Sequence, residues 1–245
     1  MSGTGMSVNL RPFDFIERVK LHDTVDEVVA DLYREASQVG IEGLIVCGVP
    51  APGQPFGPEI MGCVWNQDWF HRYVEREYFP HDPVAQWAGR TTEPFRWSAV
   101  PDPAMRTDMT GRFMGEAAEH GMVDGFVVPM FSPRQWQANV SFATSRALDA
   151  SPVDLAALHL MAIYAANRLR RLTGRLGTAA PLLTAREAEC LTWIAVGKTV
   201  DDVASILGLS RLTIQTHLRN VRLKLNAATI AQAVAEGIRS GEVRI

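Results

Sequence analysis

The side chains best suited to reading another molecule lie near the C-terminal end of the chain. Residues Arg211–Leu225 predict one helix whose apolar side should join a core, at Leu212, Ile214, Leu218, Val221 and Leu225. The polar residues lie mostly away from that side, at Thr213, Gln215, Thr216, Arg219 and Arg222. Glutamine pairs with adenine and arginine with guanine, so this polar side suits contact with base edges in DNA. The alternative is that these residues are only solvated.

Phosphate groups would take a second set of donors. Lys198, Thr199, Lys224 and the backbone N–H groups of the turn capped by Ser210 are placed for phosphates, which fix register without carrying sequence information. The chain has a formal net charge of −3, but residues 210–226 hold four basic residues and no acidic one. A local basic element on an acidic carrier is typical of DNA binding, and several phosphate contacts per subunit predict a steep salt dependence.

Capping signals predict four helices in this part of the chain. A capping box of Thr184 with Glu187 begins the first, and Gly197 ends it. The other three run from Thr199 to Gly208, from Arg211 to Leu225 with Ser210 as the cap, and from Thr229 to Ser240. Two short helices joined by a turn that contains glycine, the second of them basic, form a helix-turn-helix.

The same segment carries a set of characteristic residues. They are Leu183-Thr184, Arg186-Glu187, Leu191, Gly197-Lys198, Ala204, Leu207, Ser210, Thr213-Ile214, His217 and Lys224-Leu225. With them the segment resembles, over essentially its full length, the DNA-binding domain of LuxR-type regulators. Gln215 departs from the pattern, because the family usually has Lys or Arg there, and the departure removes one contact to DNA.

The chain before residue 174 predicts a mixed fold. Helical patterns over Asp23–Ser37, Trp69–Glu77 and residues 151–172 accompany short strand patterns at Gly43–Val49, Glu59–Val64, Met122–Met130 and Ala138–Ala143. They favour an α/β/α sandwich around an antiparallel sheet. The predicted class is therefore α+β. Residues 1–173 form this sandwich, 174–182 a linker rich in small residues, and 183–245 an all-α four-helix domain with the helix-turn-helix.

The first domain holds a second spaced set of residues, Trp69, Tyr73, Asp82-Pro83 and Trp97, followed by Gly121 and Gly125. Singly, these are core aromatics or a helix boundary. Together they resemble acyl-homoserine-lactone-binding domains over roughly residues 25–170. The whole chain is thus similar to LuxR-type quorum-sensing transcriptional regulators, which bind an autoinducer in the first domain.

The resemblance implies a role for each residue of the ligand site. The indole N–H of Trp69 would donate to the lactone carbonyl, and Asp82 would accept the amide N–H of the ligand. Ser141 would donate to the amide carbonyl, while Tyr73 and Trp97 wall the head group. A buried carboxylate needs partners, so Asp82 is expected to lack one until the ligand binds. Ligand binding should therefore stabilise the folded dimer.

Trp65 is a departure from the family, which commonly has Tyr four residues before Trp69. Indole keeps a donor but is larger and flatter than phenol. We therefore expect Trp65 to favour an acyl group that is short, branched or aromatic. His71, His81 and His120 show no metal-ligand spacing and are interpreted as surface or loop residues, so no metal or other cofactor is expected.

The predicted function is a ligand-responsive transcriptional regulator that binds a palindromic promoter site as a homodimer, with RNA polymerase as a further partner. The helix over 151–172 either packs only on its own sheet or also forms the dimer seam. Three separated cysteines, no export signal and no long apolar run indicate the cytoplasm and no membrane. No nucleophile or metal motif indicates an enzyme. A regulator of the same build that responds to a non-lactone signal, or to none, is the alternative.

Overall fold

The computed structural model describes residues 11–50, 55–101, 108–131, 137–174 and 182–243. These residues fold as two compact units, one ending at Gly174 and the other beginning at Leu182. Most of the predicted linker, residues 175–181, lies outside the described residues. The boundaries 1–173, 174–182 and 183–245 therefore stay a prediction.

Within the described residues, a five-stranded antiparallel sheet forms the centre of the first unit. Its strands are β1 (Gly43–Gly48), β2 (Ile60–Val64), β3 (Phe95–Arg96), β4 (Asp124–Phe131) and β5 (Gln137–Thr144). They lie in the order β2-β1-β5-β4-β3. In the middle of the sheet Ile45 pairs with Ser141, and Ser141 pairs on its other side with Val127. Side chains alternate between the faces of a strand, so each central strand contributes to two layers.

Helices cover both faces of the sheet. On one face α1 (Pro12–Val19) and α2 (Val25–Ser37) pack against the long helix α6 (Pro152–Leu172). Gly62 of β2 admits this layer closely, because a Cβ there would lie 2.3 Å from Cγ2 of Val29. The other face carries α3 (Gln67–Glu75), α4 (Pro83–Ala88) and α5 (Asp108–Glu119). The predicted α/β/α sandwich is confirmed, although α1, α4, α5 and β3 were not predicted.

The second unit is all-helical where it is described. Its helices are α7 (Ala185–Ala195), α8 (Val200–Leu207), α9 (Arg211–Lys224) and α10 (Ile230–Arg239). The side chains of Thr184, Thr199, Ser210 and Thr229 each accept a backbone N–H from the first turn of the helix that follows. Gly208 ends α8 in the left-handed region, at φ +66°, which permits the tight turn into α9. The predicted four-helix domain is confirmed.

One core assignment in α9 is wrong. Leu212 is 72% exposed, whereas Ile214, Leu218 and Val221 are buried. Each helical residue turns the chain by about 100°, which places Leu212 roughly 200° from the centre of the buried side. Its apolar type, not its angular position, suggested the core.

Candidate functional site

A cavity of about 40 Å³ lies between the sheet and helices α3 to α5. All six residues predicted to bind ligand line it, namely Trp65, Trp69, Tyr73, Asp82, Trp97 and Ser141. Other lining residues were not predicted, among them Phe56, Phe79, Phe113 and Asn139. The alternation of Asn139 with Ser141 along β5 was the signal that could have found Asn139. The fold thus brings residues that are far apart along the chain together around one cavity.

Asp82 is the N-cap of α4, with Pro83 at the first helical position. Its Oδ1 accepts the N–H groups of Val84 at 2.8 Å and Ala85 at 3.1 Å, and its Oδ2 accepts the hydroxyl of Tyr73 at 2.9 Å. Burial raises the pKa of Asp82 to about 6, against the opposing effect of these three bonds.

The expectation that Asp82 lacks a partner without ligand is therefore wrong. A helix N-terminus and the hydroxyl of Tyr73 already stabilise its carboxylate. A carboxylate oxygen can accept two hydrogen bonds, so Oδ2 keeps capacity for a further donor from the cavity. The carboxylate of Asp82 is therefore fixed by the protein itself and can still accept a hydrogen bond from a ligand.

Helix α3 places Trp69 and Tyr73 one turn apart on its buried side. The Oδ1 of Asn66 caps this helix by accepting the N–H of Trp69 at 3.1 Å. The Trp69 ring lies 5.9 Å from Tyr73 and 5.5 Å from His120, measured between ring centroids. His120 is half-buried, and its Nδ1 lies 2.8 Å from the carbonyl oxygen of Glu116. His120 lies in the turn after α5, in agreement with its interpretation as a surface or loop residue, but its ring also packs against Trp69.

Trp65 and Trp97 each place an indole N–H in the cavity wall. Both Nε1 atoms are buried and have no hydrogen-bond partner among the described residues. Trp97 packs directly on Gly125 of β4, where a Cβ would lie 2.8 Å from Nε1 and 2.1 Å from the carbonyl oxygen of Phe142. Gly125 therefore permits the close approach of Trp97 to β4. A buried unpaired donor is destabilising by about 1–3 kcal/mol, so an acceptor in the cavity would stabilise this wall.

The sheet supplies a partly polar floor to the cavity. Ser141 is buried on β5 opposite Ile45 of β1. Two residues along, the thiol of Cys47 donates to Oδ1 of Asn139 at 3.5 Å. Burial raises the pKa of the Cys47 thiol far above its usual range, so this side chain is a neutral lining group. Ser141 is therefore the hydroxyl donor of the floor.

Of the residues predicted to contact DNA, some are exposed to solvent and others form hydrogen bonds or ion pairs within the domain. Gln215, Thr216 and Arg219 are exposed on α9, and Lys198 and Thr199 are exposed at the start of α8. The hydroxyls of Ser210 and Thr213 lie 2.8 Å apart at the N-terminus of α9, where Ser210 also accepts the N–H of Thr213. The helix-turn-helix therefore presents the first turns of α8 and α9 to solvent.

Two predicted DNA contacts are engaged inside the domain. Nζ of Lys224 lies 2.6 Å from Oε2 of Glu187, the buried acid of the α7 capping box. The guanidinium of Arg222 donates to the carbonyl oxygens of Ala227, at 3.4 Å, and Ala228, at 2.5 Å. These bonds join α9 to α7 and to the loop before α10. A buried acid that loses its partner is strongly destabilising, so Lys224 stabilises the domain in this position.

Two family profiles match the chain. The profile described as "Autoinducer binding domain" matches residues 24–169, and "Bacterial regulatory proteins, luxR family" matches residues 181–236. The chain belongs to the LuxR family. It is a transcriptional regulator with an autoinducer-binding domain and a helix-turn-helix domain for DNA, which confirms the prediction of a regulator rather than an enzyme.

Two relatives match most of the chain. Transcriptional activator protein BjaR1 of Bradyrhizobium diazoefficiens is 32% identical over 226 residues, which cover 92% of this chain and 93% of that protein. The HTH-type quorum sensing-dependent transcriptional regulator RpaR of Rhodopseudomonas palustris is 34% identical over 206 residues, 84% of each chain.

Solved structures of SdiA share the fold. The crystal structure of Escherichia coli SdiA has a TM-score of 0.72 at 20% identity and covers 96% of this chain and 98% of that one. SdiA in complex with octanoyl-rac-glycerol has a TM-score of 0.73 at 22% identity and covers 94% and 93%. In the described part of this chain, no helix has the length and apolar character to span a membrane.

Proposed function

We propose that the first domain binds an N-acyl-homoserine lactone and that binding controls DNA recognition by the second domain. Two buried indole N–H donors, those of Trp65 and Trp97, carry the proposal. Neither has a hydrogen-bond partner among the described residues, and both lie in the wall of an apolar cavity that also holds the carboxylate of Asp82. An N-acyl-homoserine lactone has carbonyl acceptors at two points, one amide N–H donor and an apolar tail. Its polar groups therefore complement those of the cavity.

Each polar group of such a ligand has a candidate partner. The lactone carbonyl would accept from Trp69, and the amide N–H would donate to Oδ2 of Asp82. The amide carbonyl would accept hydrogen bonds from the hydroxyl of Ser141 and the unpaired indole N–H of Trp65, while Trp97 and Tyr73 would enclose the lactone ring. The pKa of about 6 leaves Asp82 ionised at neutral pH, and an ionised carboxylate is a stronger acceptor for the amide N–H than a neutral carboxyl group.

The acyl group is proposed to be short, branched or aromatic. The cavity measures about 40 Å³, and a single water already needs roughly 10–15 Å³. Trp65, Phe56 and Phe79 occupy its walls, and the rings of the two phenylalanines stack at 4.8 Å. A long flexible chain would have to displace this packed aromatic wall, whereas a compact group needs a smaller adjustment.

Homodimerisation is proposed to use the outer side of α6. Val153, Leu160 and Tyr164 are exposed there, although all three are large and apolar. Their spacing of seven and four residues places them in one stripe along the helix, roughly 130° around its axis from the centre of the buried side. Leu160→Glu should shift the protein from dimer to monomer in sedimentation velocity. Ala30→Glu, at an exposed position of α2, is the matched control and should leave the dimer intact.

A dimer would present two copies of α9 to half-sites about 34 Å apart on a palindromic site. Gln215, Thr216 and Arg219 are proposed for base edges. Lys198, Thr199 and the N–H groups at the capped start of α9 are proposed for phosphates, with Ser210 and Thr213 holding that turn. Electrophoretic mobility shift assays of Arg219→Ala test the base contact, which should weaken a selected site more than random DNA.

A signal without a lactone ring is the second candidate. A solved structure of the same fold, SdiA, holds octanoyl-rac-glycerol, an acylated glycerol. Such a ligand offers an ester carbonyl and hydroxyl groups, but no amide N–H for Asp82.

Mass spectrometry of co-purified ligand separates the two. The full chain is expressed with acyl-homoserine lactones bearing short, branched, aromatic or long acyl groups, and in parallel with a monoacylglycerol. A compact lactone recovered at one per subunit is the expected result. Preferential recovery of the long-chain lactone would contradict the compact acyl group alone. Recovery of only the acylglycerol, or a soluble dimer with no ligand, would contradict the lactone proposal.

A further inference from the structure

The recognition helix α9 begins with an exposed apolar side chain that none of the DNA contacts proposed above uses. Leu212 is the second residue of α9 and is 72% exposed. The buried residues of the helix lie on its opposite side. Leu212 therefore adds nothing to the core of its own domain, and exposing a leucine to water is unfavourable.

Leu212 shares its side of the helix with three other residues. Thr216, Arg219 and Leu223 follow it at four, seven and eleven residues, which places all four within about 40° of one line along α9. The hydroxyl of Thr216 donates to the carbonyl oxygen of Leu212 at 2.9 Å, so its hydrogen is engaged within the helix. This side of α9 is consequently more apolar than a recognition helix of polar residues alone.

We infer that Leu212 reads a thymine, by packing its side chain on the C5-methyl group in the major groove. The N-terminal residues of a recognition helix are those that reach base edges. The thymine methyl is the apolar feature of the major groove, and it distinguishes T·A from the other base pairs. Leu212 is then a specificity-determining residue of each half-site. The inference rests on the proposed use of α9 for DNA recognition.

The position of Leu212 also favours DNA over a protein partner as the group that covers it. Thr216 follows Leu212 on the same side of α9 one turn along and Arg219 two turns along, and Arg219 forms no ion pair among the described residues. A free guanidinium two turns beyond an apolar contact suits a phosphate-lined groove, where guanine or a phosphate can accept from it. A subunit contact at the same place would bury this charge against a second copy of itself.

Selection of binding sites tests the inference. The full chain, purified with its bound ligand where one is needed for folding, selects sites from a random 24-bp duplex library. Leu212→Ala and Leu223→Ala are selected in parallel. Leu223 is 70% exposed at the other end of the same side of α9, so its variant is the matched control. Each wild-type half-site should contain a thymine whose preference is lost with Leu212→Ala and kept with Leu223→Ala.

Removing one methyl group from the DNA then tests the contact of Leu212 with thymine by itself. Replacing that thymine by deoxyuridine removes only the methyl group. The affinity of the wild type and of Leu223→Ala should fall about fourfold per half-site, the factor for about one buried methyl group. Leu212→Ala should bind both duplexes equally well.

Three results would overturn the inference. Leu212→Ala could select the same sites as the wild type, or lose as much affinity as the wild type on deoxyuridine. It could also change the sedimentation coefficient without changing the selected site, which would make Leu212 a subunit contact. If none of the three proteins selects any site, the proposed use of α9 in DNA recognition fails as well. Selection of a site by the wild type therefore distinguishes a failure of the Leu212 inference from a failure of the proposed DNA recognition by α9.

Discussion

Replacing Asp82 with asparagine should stabilise the ligand-free protein at neutral pH and weaken ligand binding at the same time. The asparagine oxygen can keep the N–H bonds of Val84 and Ala85, and its amide can donate to the hydroxyl of Tyr73. The substitution therefore preserves the cap of α4. What it removes is the buried negative charge.

The size of the effect follows from the pKa of Asp82. An ordinary aspartate has a pKa of 3.8, and burial raises that of Asp82 to about 6. At 1.36 kcal/mol per pH unit, this difference corresponds to about 3 kcal/mol. Because the folded-state pKa is the higher one, the favourable contribution is complete below about pH 4 and is lost as the pH rises through 6. Wild-type stability should therefore decline between pH 4 and pH 8 by up to that amount.

Urea unfolding at several pH values between 5 and 8 measures this difference. Five of the six tryptophans precede residue 174, so tryptophan fluorescence reports mainly on the first domain. The asparagine variant should be more stable than the wild type at pH 8, and the two should converge toward pH 5. An equal pH dependence in both proteins, or a less stable variant at pH 8, would refute the reasoning. Its affinity for a lactone should be at least tenfold lower, since the charged acceptor is gone.

Three further substitutions probe other parts of the structure. Trp97→Phe removes a destabilising unpaired donor but also buried side-chain volume, and these opposing effects should leave the thermal midpoint of the ligand-free protein little changed. Calorimetry should show roughly tenfold weaker lactone binding, and unchanged affinity would place the ligand elsewhere. Gly125→Ala puts a Cβ 2.1 Å from a carbonyl oxygen and should lower soluble yield and thermal stability sharply, whereas Gly115→Ala, in open space on α5, should be neutral or slightly stabilising. Lys224→Met should destabilise the DNA-binding domain by about 2 kcal/mol in urea unfolding. Lys198→Met should instead lower affinity equally for specific and random DNA. Equal unfolding curves for the two variants would contradict the distinction between a structural Lys224 and a DNA-contacting Lys198.

Local signals made the helix-turn-helix predictable from the sequence. Thr184, Thr199 and Ser210 each precede a helix by one residue, and their capping bonds involve only residues three positions away. The left-handed turn at Gly208 is equally local. Such features depend on neighbours along the chain, so a sequence displays them directly.

Contacts between distant segments were not predictable in the same way. The pairing of Lys224 with Glu187 spans 37 residues and depends on how α9 crosses α7. The cap that Asp82 provides to α4 is local, but an Asp-Pro pair that marks a helix boundary does not show that the same carboxylate also accepts a hydrogen bond from Tyr73. Leu212 shows a simpler error, since counting about 100° per residue from Ile214 would have placed it outside the core.

The internal pairing of basic residues also changes how the regulator should behave among the excess of unrelated DNA in a cell. Arg211 pairs with Asp201 at 2.9 Å, Lys224 with Glu187, and Arg222 with two backbone carbonyls. Arg219 and Lys198 then supply most of the free cationic charge near the first turns of α8 and α9. With Lys198 of each subunit on a phosphate and Arg219 on a base edge, as proposed, a dimer would neutralise about two phosphates and give a salt slope of about −1.8, shallower than the steep dependence expected from the sequence.

A protein with so little general attraction to phosphate is seldom held on random sequence. With the proposed dimer and ligand control, most molecules would therefore stay free to find their sites, and occupancy of a promoter would follow the number of ligand-bound dimers rather than competition from other chromosomal DNA.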